Sequence, residues 1–291
     1  MASFNIRRAE RKKTTIKIAL QGPAGSGKTM SALRMAYGLV GDWSQIVVID
    51  TENGSADLYA HLGDYSVLPI TDYSPENYIE AINYCEQAGF KVIIIDGISP
   101  EWDYIVDAQS KTTGNSFTNW GKFTPRHNKF MKKILNSPCH LIATMRSKQD
   151  YVLVEKNGRQ VPEKVGMKAT QRDGVDYEFT LVFEIDIKHN AHSTKDRTFM
   201  FDVNHDFVIT EEVGEKIREW CETGVDVVAQ KAEQMRQFYE DLAACQTKEM
   251  LDALTSKYDS LLITNEAGKR VYPEEIRVKV REKFNEISAK K

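Results

Sequence analysis

Gly22-Pro23-Ala24-Gly25-Ser26-Gly27-Lys28-Thr29, followed by Met30, decides the reading of this chain. It matches Gly-x-x-x-x-Gly-Lys-[Ser/Thr] in full and sits in the context that motif requires. Thr15–Gln21 before it alternates and predicts a strand, and Lys28–Val40 after it carries Met30, Leu33, Met35, Ala36 and Leu39 at helical spacing. Glycines let the backbone wrap so that successive N–H groups point inward, and a helix starting at Lys28 aims its positive end at the same place. Gly22–Met30 is therefore expected to cradle the phosphates of a nucleoside triphosphate, ATP with Mg2+. Lys28 would reach the β- and γ-phosphates and Thr29 would hold the metal. A glycine-rich turn matching by chance is the competing reading, and the flanking strand and helix argue against it.

Outward from the loop, Gln45–Asp50 and Lys91–Asp96 hold short apolar runs that suit strands buried on both faces, and Cys139–Met145 is a further strand. Ser74-Pro75-Glu76-Asn77 opens a helix running to about Ala88, and another covers Trp120–Asn136. Strands alternating with helices predict an α/β core, a mostly parallel sheet with helices on both faces. After Arg146 the pattern changes. Tyr151–Glu155 and Arg159–Lys164 flank Asn157-Gly158, a hairpin signal, and Glu178–Lys188 with Arg197–Val203 suggests a second antiparallel pair. Thr210 caps a helix to about Cys221. The division expected is a flexible basic arm, 1–13; a P-loop domain, 14–224; and a small helical appendage, 225–291, with helices at Ala232–Leu242, Lys248–Leu262 and from Pro273.

Hydrophobic residues make up 41% and charged residues 28% of the 291, a globular composition, and a net charge of -3 leaves any attraction to nucleic acid to local patches. No apolar run is long enough to span a bilayer, the first residues lack the apolar stretch of a signal peptide, and no membrane partner is expected. Cys85, Cys139, Cys221 and Cys245 form no Cys-x-x-Cys pair and read as reduced, buried thiols, which points to the cytoplasm. His189 and His192 come nearest to a metal spacing, yet they flank a turn and read as solvated.

A phosphate loop needs an acidic metal partner on a neighbouring strand. Asp96 ends Lys91-Val-Ile-Ile-Ile-Asp96 at the edge where open α/β sheets bind ligands. It is the expected second metal ligand, the alternative being a carboxylate that caps the turn Gly97-Ile98-Ser99-Pro100. Hydrolysis also needs a carboxylate to act on water. The position directly after Asp96 is Gly97, so the group must come from elsewhere. Glu52, just past the strand Val47-Val48-Ile49-Asp50, is the candidate, with Asp50 second; the competing view of Glu52 is a loop residue before Asn53-Gly54.

The order of these motifs resembles that of RecA and its recombinase relatives: phosphate loop, Asp50-Thr51-Glu52, then an isolated Asp96. Lys148-Gln149-Asp150-Tyr151-Val152, the Asn157-Gly158 hairpin, Lys164–Lys168 and Gln171–Phe179 look closer still to phage-encoded AAA-type, RecA-like nucleotide-binding proteins of the single-strand annealing and recombination group. The likeness covers residues 14–205. It implies a RecA-like P-loop ATPase core, self-assembly into a ring or filament, and other phage replication or recombination proteins as partners. By position it implies that Thr144 or Arg146 senses the γ-phosphate, and that Lys164, Lys168 or Arg172 completes a neighbouring subunit's site as a cation in trans. The bland readings are an arginine anchoring a surface loop and a solvated basic loop.

Two segments are candidates for contact with single-stranded DNA. Ser110–Lys129 mixes Lys122 and Arg126 with Phe117, Trp120 and Phe123, and Arg146–Arg172 is rich in cations. Trp120, Phe123 and Phe130 could equally be core residues of a helix. The resulting expectation is an Mg-dependent ATPase acting in recombination or replication. Two alternatives remain: a nucleotide-gated protein-binding module with slow turnover, and a P-loop phosphotransferase, which the missing arginine cluster after Asp96 disfavours.

Overall fold

The computed structural model describes residues 8–114, 116–156, 159–258, 261–264 and 270–289. Residues 14–223 form one compact unit; 8–13 and 224–289 belong to another.

The larger unit is built on a sheet in the order β3-β2-β4-β5-β1-β7-β8. Its strands are β1 (Lys17–Gly22), β2 (Ile46–Asp50), β3 (Ser66–Pro69), β4 (Val92–Asp96), β5 (His140–Lys156), β6 (Arg159–Ala169), β7 (Leu181–Ile185) and β8 (Ala191–Asp196). The first five and β7 run parallel, while β6 and β8 are the antiparallel partners of β5 and β7. The strand carrying Thr144 thus lies between the phosphate-loop strand and the Asp96 strand.

Alternation along the strands sorts side chains onto two layers. Ile18, Leu20, Val48, Ile94 and Ile142 share a core with Leu33, Ala36 and Leu39 of α1 (Lys28–Val40). On the other face Val47, Ile49, Ile93, Ile95 and Leu141 pack with Tyr78 and Ile82 of α2 (Pro75–Gln87) and Phe130 and Ile134 of α4 (Ser116–Asn136). Between them in sequence, α3 (Ser99–Ser110) begins directly beyond β4. The Ser74 hydroxyl accepts the Asn77 N–H at the start of α2, with Pro75 at the first position as expected. α5 (Glu211–Glu222) lies against α1. A Cβ on Gly214 would overlap the Met35 carbonyl and stand 2.8 Å from Gly38 Cα, so the two helices meet backbone to backbone.

The α/β core with antiparallel hairpins is as expected, but four local expectations are corrected. The DNA-contact candidate Ser110–Lys129 is mostly helical: α4 begins at Ser116, earlier than the Trp120 expected, and its Phe123, Phe130 and Ile134 repeat at helical spacing and turn inward. Arg197–Val203 is not a strand; the partner of β7 is Ala191–Asp196. The Asp196 carboxylate accepts the N–H groups of Thr198, Phe199 and Phe201, which turns the chain away. The helix from Lys248 ends at Lys257 rather than Leu262. Residues 11–13 are not a free arm, since Lys12 bridges Val225 and the Lys13 N–H donates to the Val225 carbonyl.

In the smaller unit, α6 (Val227–Ala244), α7 (Lys248–Lys257) and α8 (Glu274–Ala289) share their own core of Phe238, Leu242, Leu251, Leu254, Tyr258, Ile276 and Ile287. The strands β9 (Ile263–Thr264) and β10 (Arg270–Val271) pair antiparallel. The four cysteines are buried and form no disulfide with one another. No helix among the described residues is long and apolar enough to cross a membrane.

Candidate functional site

β1 ends in the loop and α1 starts from it. Gly25 (φ 79°) and Gly27 (φ 88°) adopt left-handed backbone, and Gly27 caps α1. A Cβ on Gly22 would lie 2.5 Å from the Ile185 carbonyl and from Ser26 Oγ, so only glycine lets the chain turn there. Ala24 is exposed, Pro23 and Met30 are half-buried, and the buried Ser26 hydroxyl has no hydrogen-bond partner. Lys28 Nζ donates to the Gly22 and Pro23 carbonyls at 3.1 and 2.9 Å. Burial pulls its pKa down, opposed by the charges of Glu52 and Asp96.

Asp96 is buried at the end of β4. Its Oδ2 accepts the Thr29 hydroxyl and its Oδ1 the Thr144 hydroxyl, each at 2.8 Å. Burial pushes this carboxyl up; the two hydroxyls oppose that, and the Glu52 and Asp50 charges add to it. Thr29 Oγ1 and the Asp96 carboxylate are hard oxygen donors, the set that suits Mg2+. With the Gly22 cradle and the unpartnered Ser26 hydroxyl, the residues fit a triphosphate carrying that metal.

Glu52 and Asp50 part company. Asp50 spends its oxygens on the N–H groups of Glu52 and Gly54, both at 2.7 Å, and so shapes the turn. Glu52 Oε1 instead accepts from Arg146 Nη2 at 2.8 Å. Thr51 ties the two strand ends together: its hydroxyl donates to the Asp96 carbonyl at 2.9 Å and accepts the Gly97 N–H at 3.0 Å. The Asp96–Gly97 peptide is cis. A Cβ on Gly97 would stand 2.9 Å from Thr144 Oγ1 and 3.0 Å from its carbonyl, which explains why no glutamate follows Asp96. The Thr144 hydroxyl is committed to Asp96, and the Arg146 side chain to Glu52.

The structure does not gather the remaining cations at this site. Arg126 forms a bidentate pair with Glu76 at 2.9 and 2.7 Å and lies over Tyr104. Arg172 donates to Asn128 Oδ1 at 2.7 Å, and Lys122 is exposed on α4. Lys164 and Lys168 lie on β6, where only the backbone is described; the Phe117 side chain and Asn157-Gly158 lie outside the described residues. Trp120 stacks on Trp102 at 5.6 Å, and Phe123 and Phe130 are buried, so these rings serve packing. His192 pairs with Asp206, and no group of three potential metal ligands occurs among the described residues.

Sequence reasoning missed His189. Its Nδ1–H donates to the Ser26 carbonyl at 2.9 Å, across 163 residues of chain, and no local signal marks such a contact. It also missed α3, although Ser99-Pro100-Glu101 carries the same start signal as Ser74-Pro75-Glu76.

A family model of the AAA domain matches residues 14–213, more than half of the chain. The chain belongs to the AAA-domain family. No curated protein matches it in sequence. Residues 14–213 are thus an AAA-type, nucleotide-binding P-loop NTPase domain, and the match spans the phosphate loop, Glu52, Asp96 and Arg146.

Proposed function

We propose that the protein is an Mg-dependent ATPase, with Lys28, Glu52, Asp96 and Arg146 as its working side chains. The observation that carries this is the hydrogen-bonded line Thr29–Asp96–Thr144 under a complete phosphate loop, with Glu52 on the adjacent strand end. The loop N–H groups hold the phosphates, and Lys28 exchanges the Gly22 and Pro23 carbonyls for phosphate oxygens. Thr29 and Asp96 would hold Mg2+, which would supply positive charge to offset that of the phosphates. Glu52 takes a proton from the attacking water; the bond from the γ-phosphorus to the bridging oxygen breaks, leaving ADP and phosphate.

The Glu52–Arg146 pair supports a coupled enzyme. Arg146 holds the carboxylate that must act on water, and it stands where β5 leaves the sheet for the β5–β6 hairpin. From Arg146 to Lys168 there are six basic and three acidic residues, a sign that suits a polyanion. We infer that single-stranded DNA on this hairpin draws Arg146 away and frees Glu52. This fits the recombination or replication setting of the proteins the sequence resembles, as it does assembly with further copies or with their partner proteins. A nucleotide-gated binding module with slow turnover shares the same pair and differs in lacking DNA stimulation.

ATPase rates with and without single-stranded DNA, with the oligomeric mass in both states, test the reading. Lys28→Ala and Glu52→Ala should each abolish turnover, and only Lys28→Ala should abolish nucleotide binding. Turnover unaffected by Glu52→Ala would remove Glu52 from its role.

A further inference from the structure

The turn between β7 and β8 has no part in the chemistry above, yet it lies directly against the phosphate loop. β7 runs parallel to β1 on the flank opposite β5, so its C-terminal turn arrives at the same edge of the sheet from the other side. The γ-phosphate end of the site is set by Asp96 and Glu52, on the β5–β4 flank. An extended triphosphate then leaves its nucleoside end toward the β7–β8 flank. There Ile187 Cδ1 lies 3.7 Å from where a Gly25 Cβ would be, and Ile187 is 63% exposed.

The turn is rigid. Asp186 Oδ1 accepts the N–H groups of Lys188 and Asn190 at 2.8 and 2.9 Å, and the Asp186 N–H donates to the Asn190 carbonyl at 2.9 Å. His189, at φ 68°, holds the Ser26 carbonyl. That carbonyl and the Gly27 N–H belong to one peptide plane, so pinning the carbonyl outward turns the N–H inward. A fixed turn that presents an isoleucine to solvent beside a phosphate loop is an apolar wall for a ligand.

We propose that Asp186–Asn190 forms the nucleoside wall of the site, with Ile187 as the surface that the base lies on and His189 as a positioning residue for the loop. This rests on the nucleotide-site reading and adds how the base is held. Contact through apolar area makes affinity follow base size, so purine nucleotides bind better than pyrimidine nucleotides, and both better than inorganic triphosphate.

Calorimetric titration of the full chain with ATP, CTP and inorganic triphosphate, each with Mg2+, tests it. Ile187→Ser, at an exposed position, should weaken ATP about 5-fold and leave inorganic triphosphate unchanged. His189→Ala should weaken both ligands together. The indole introduced by Ile187→Trp should be quenched by ATP and not by inorganic triphosphate. Equal affinities of the wild type for ATP and inorganic triphosphate, or an Ile187→Ser loss shared by both, would overturn the wall while leaving the phosphate site intact. A wild type that binds neither ligand would overturn the nucleotide site, and the wall with it.

Discussion

Replacing Asp96 by Asn should make the ligand-free protein more stable and its nucleotide complex less so. The carboxyl group is buried with two hydroxyl donors, while Glu52 and Asp50 add like charge. Its pKa in the fold is raised above that of the unfolded chain. The stability tied to this group is therefore present below the unfolded value, near 3.8, and lost as pH rises through the folded one. The amide, which does not titrate, removes this loss. Both hydroxyls keep a partner, because one of them can turn to accept from the amide nitrogen. The net gain expected is about 1 kcal/mol, as for other strained functional sites. For a domain of this size that raises Tm by about 2–4 °C. The wild type should gain about 2.7 kcal/mol from Mg-ATP at a hundredfold excess over Kd, or about 5–11 °C. Scanning calorimetry at pH 7.5, without ligand, with ATP and EDTA, and with Mg-ATP, separates these effects. The variant should start higher and lose the increment that Mg2+ adds to ATP. A ligand-free variant that melts below the wild type, or one that keeps the full Mg2+ increment, would refute the reasoning.

Three further outcomes are expected. Burial, helped by the charge of Lys17, lowers His140 from 6.5 to about 4, while its Nδ1 accepts the Ile16 N–H. Its contribution is present above pH 6.5 and lost as pH falls from 6.5 toward 4. Denaturant unfolding should therefore show the wild type losing about 2–3 kcal/mol relative to His140→Asn between pH 7 and 4.5, and a constant difference would contradict this. Gly214→Ala forces a Cβ against the Met35 carbonyl and should cost about 2 kcal/mol or more in urea titration, where a neutral result would rule out the close approach of α1 and α5. Arg146→Ala removes a half-exposed ion pair worth at most about 1 kcal/mol, so basal ATPase should rise by no more than about 5-fold and DNA stimulation should vanish; a fall in basal rate would make Arg146 part of the reaction instead of a latch.

Local pattern reached far along this chain because its signals are local in origin. The phosphate loop, Ser74 at the start of α2 and the apolar runs ending at Asp50 and Asp96 are set by backbone sterics, capping and burial within a few residues. Where that reading failed, a distant partner or a side-chain cap had intervened. Asp196 folds the chain away after β8, and the stacking of Trp120 on Trp102 of α3, a helix that was not expected, is a contact between distant residues. The division of labour between Asp50 and Glu52 was open too, since both stand on one strand end and only the direction of the following turn assigns the carboxylate oxygens of Asp50 to backbone amides.

The sequence by itself determined that there is a phosphate loop, that it joins a buried strand to a helix, and that acidic residues end two other strands. Strand order it left open, because alternation tells which residues are buried and not which strand lies beside which. The tertiary structure inserted β5 between β1 and β4, and so brought Thr144 onto Asp96 and Arg146 onto Glu52. It also set His189 against Ser26. Parallel pairing aligns strand ends from remote parts of the chain at one edge, and that edge is where the site is assembled.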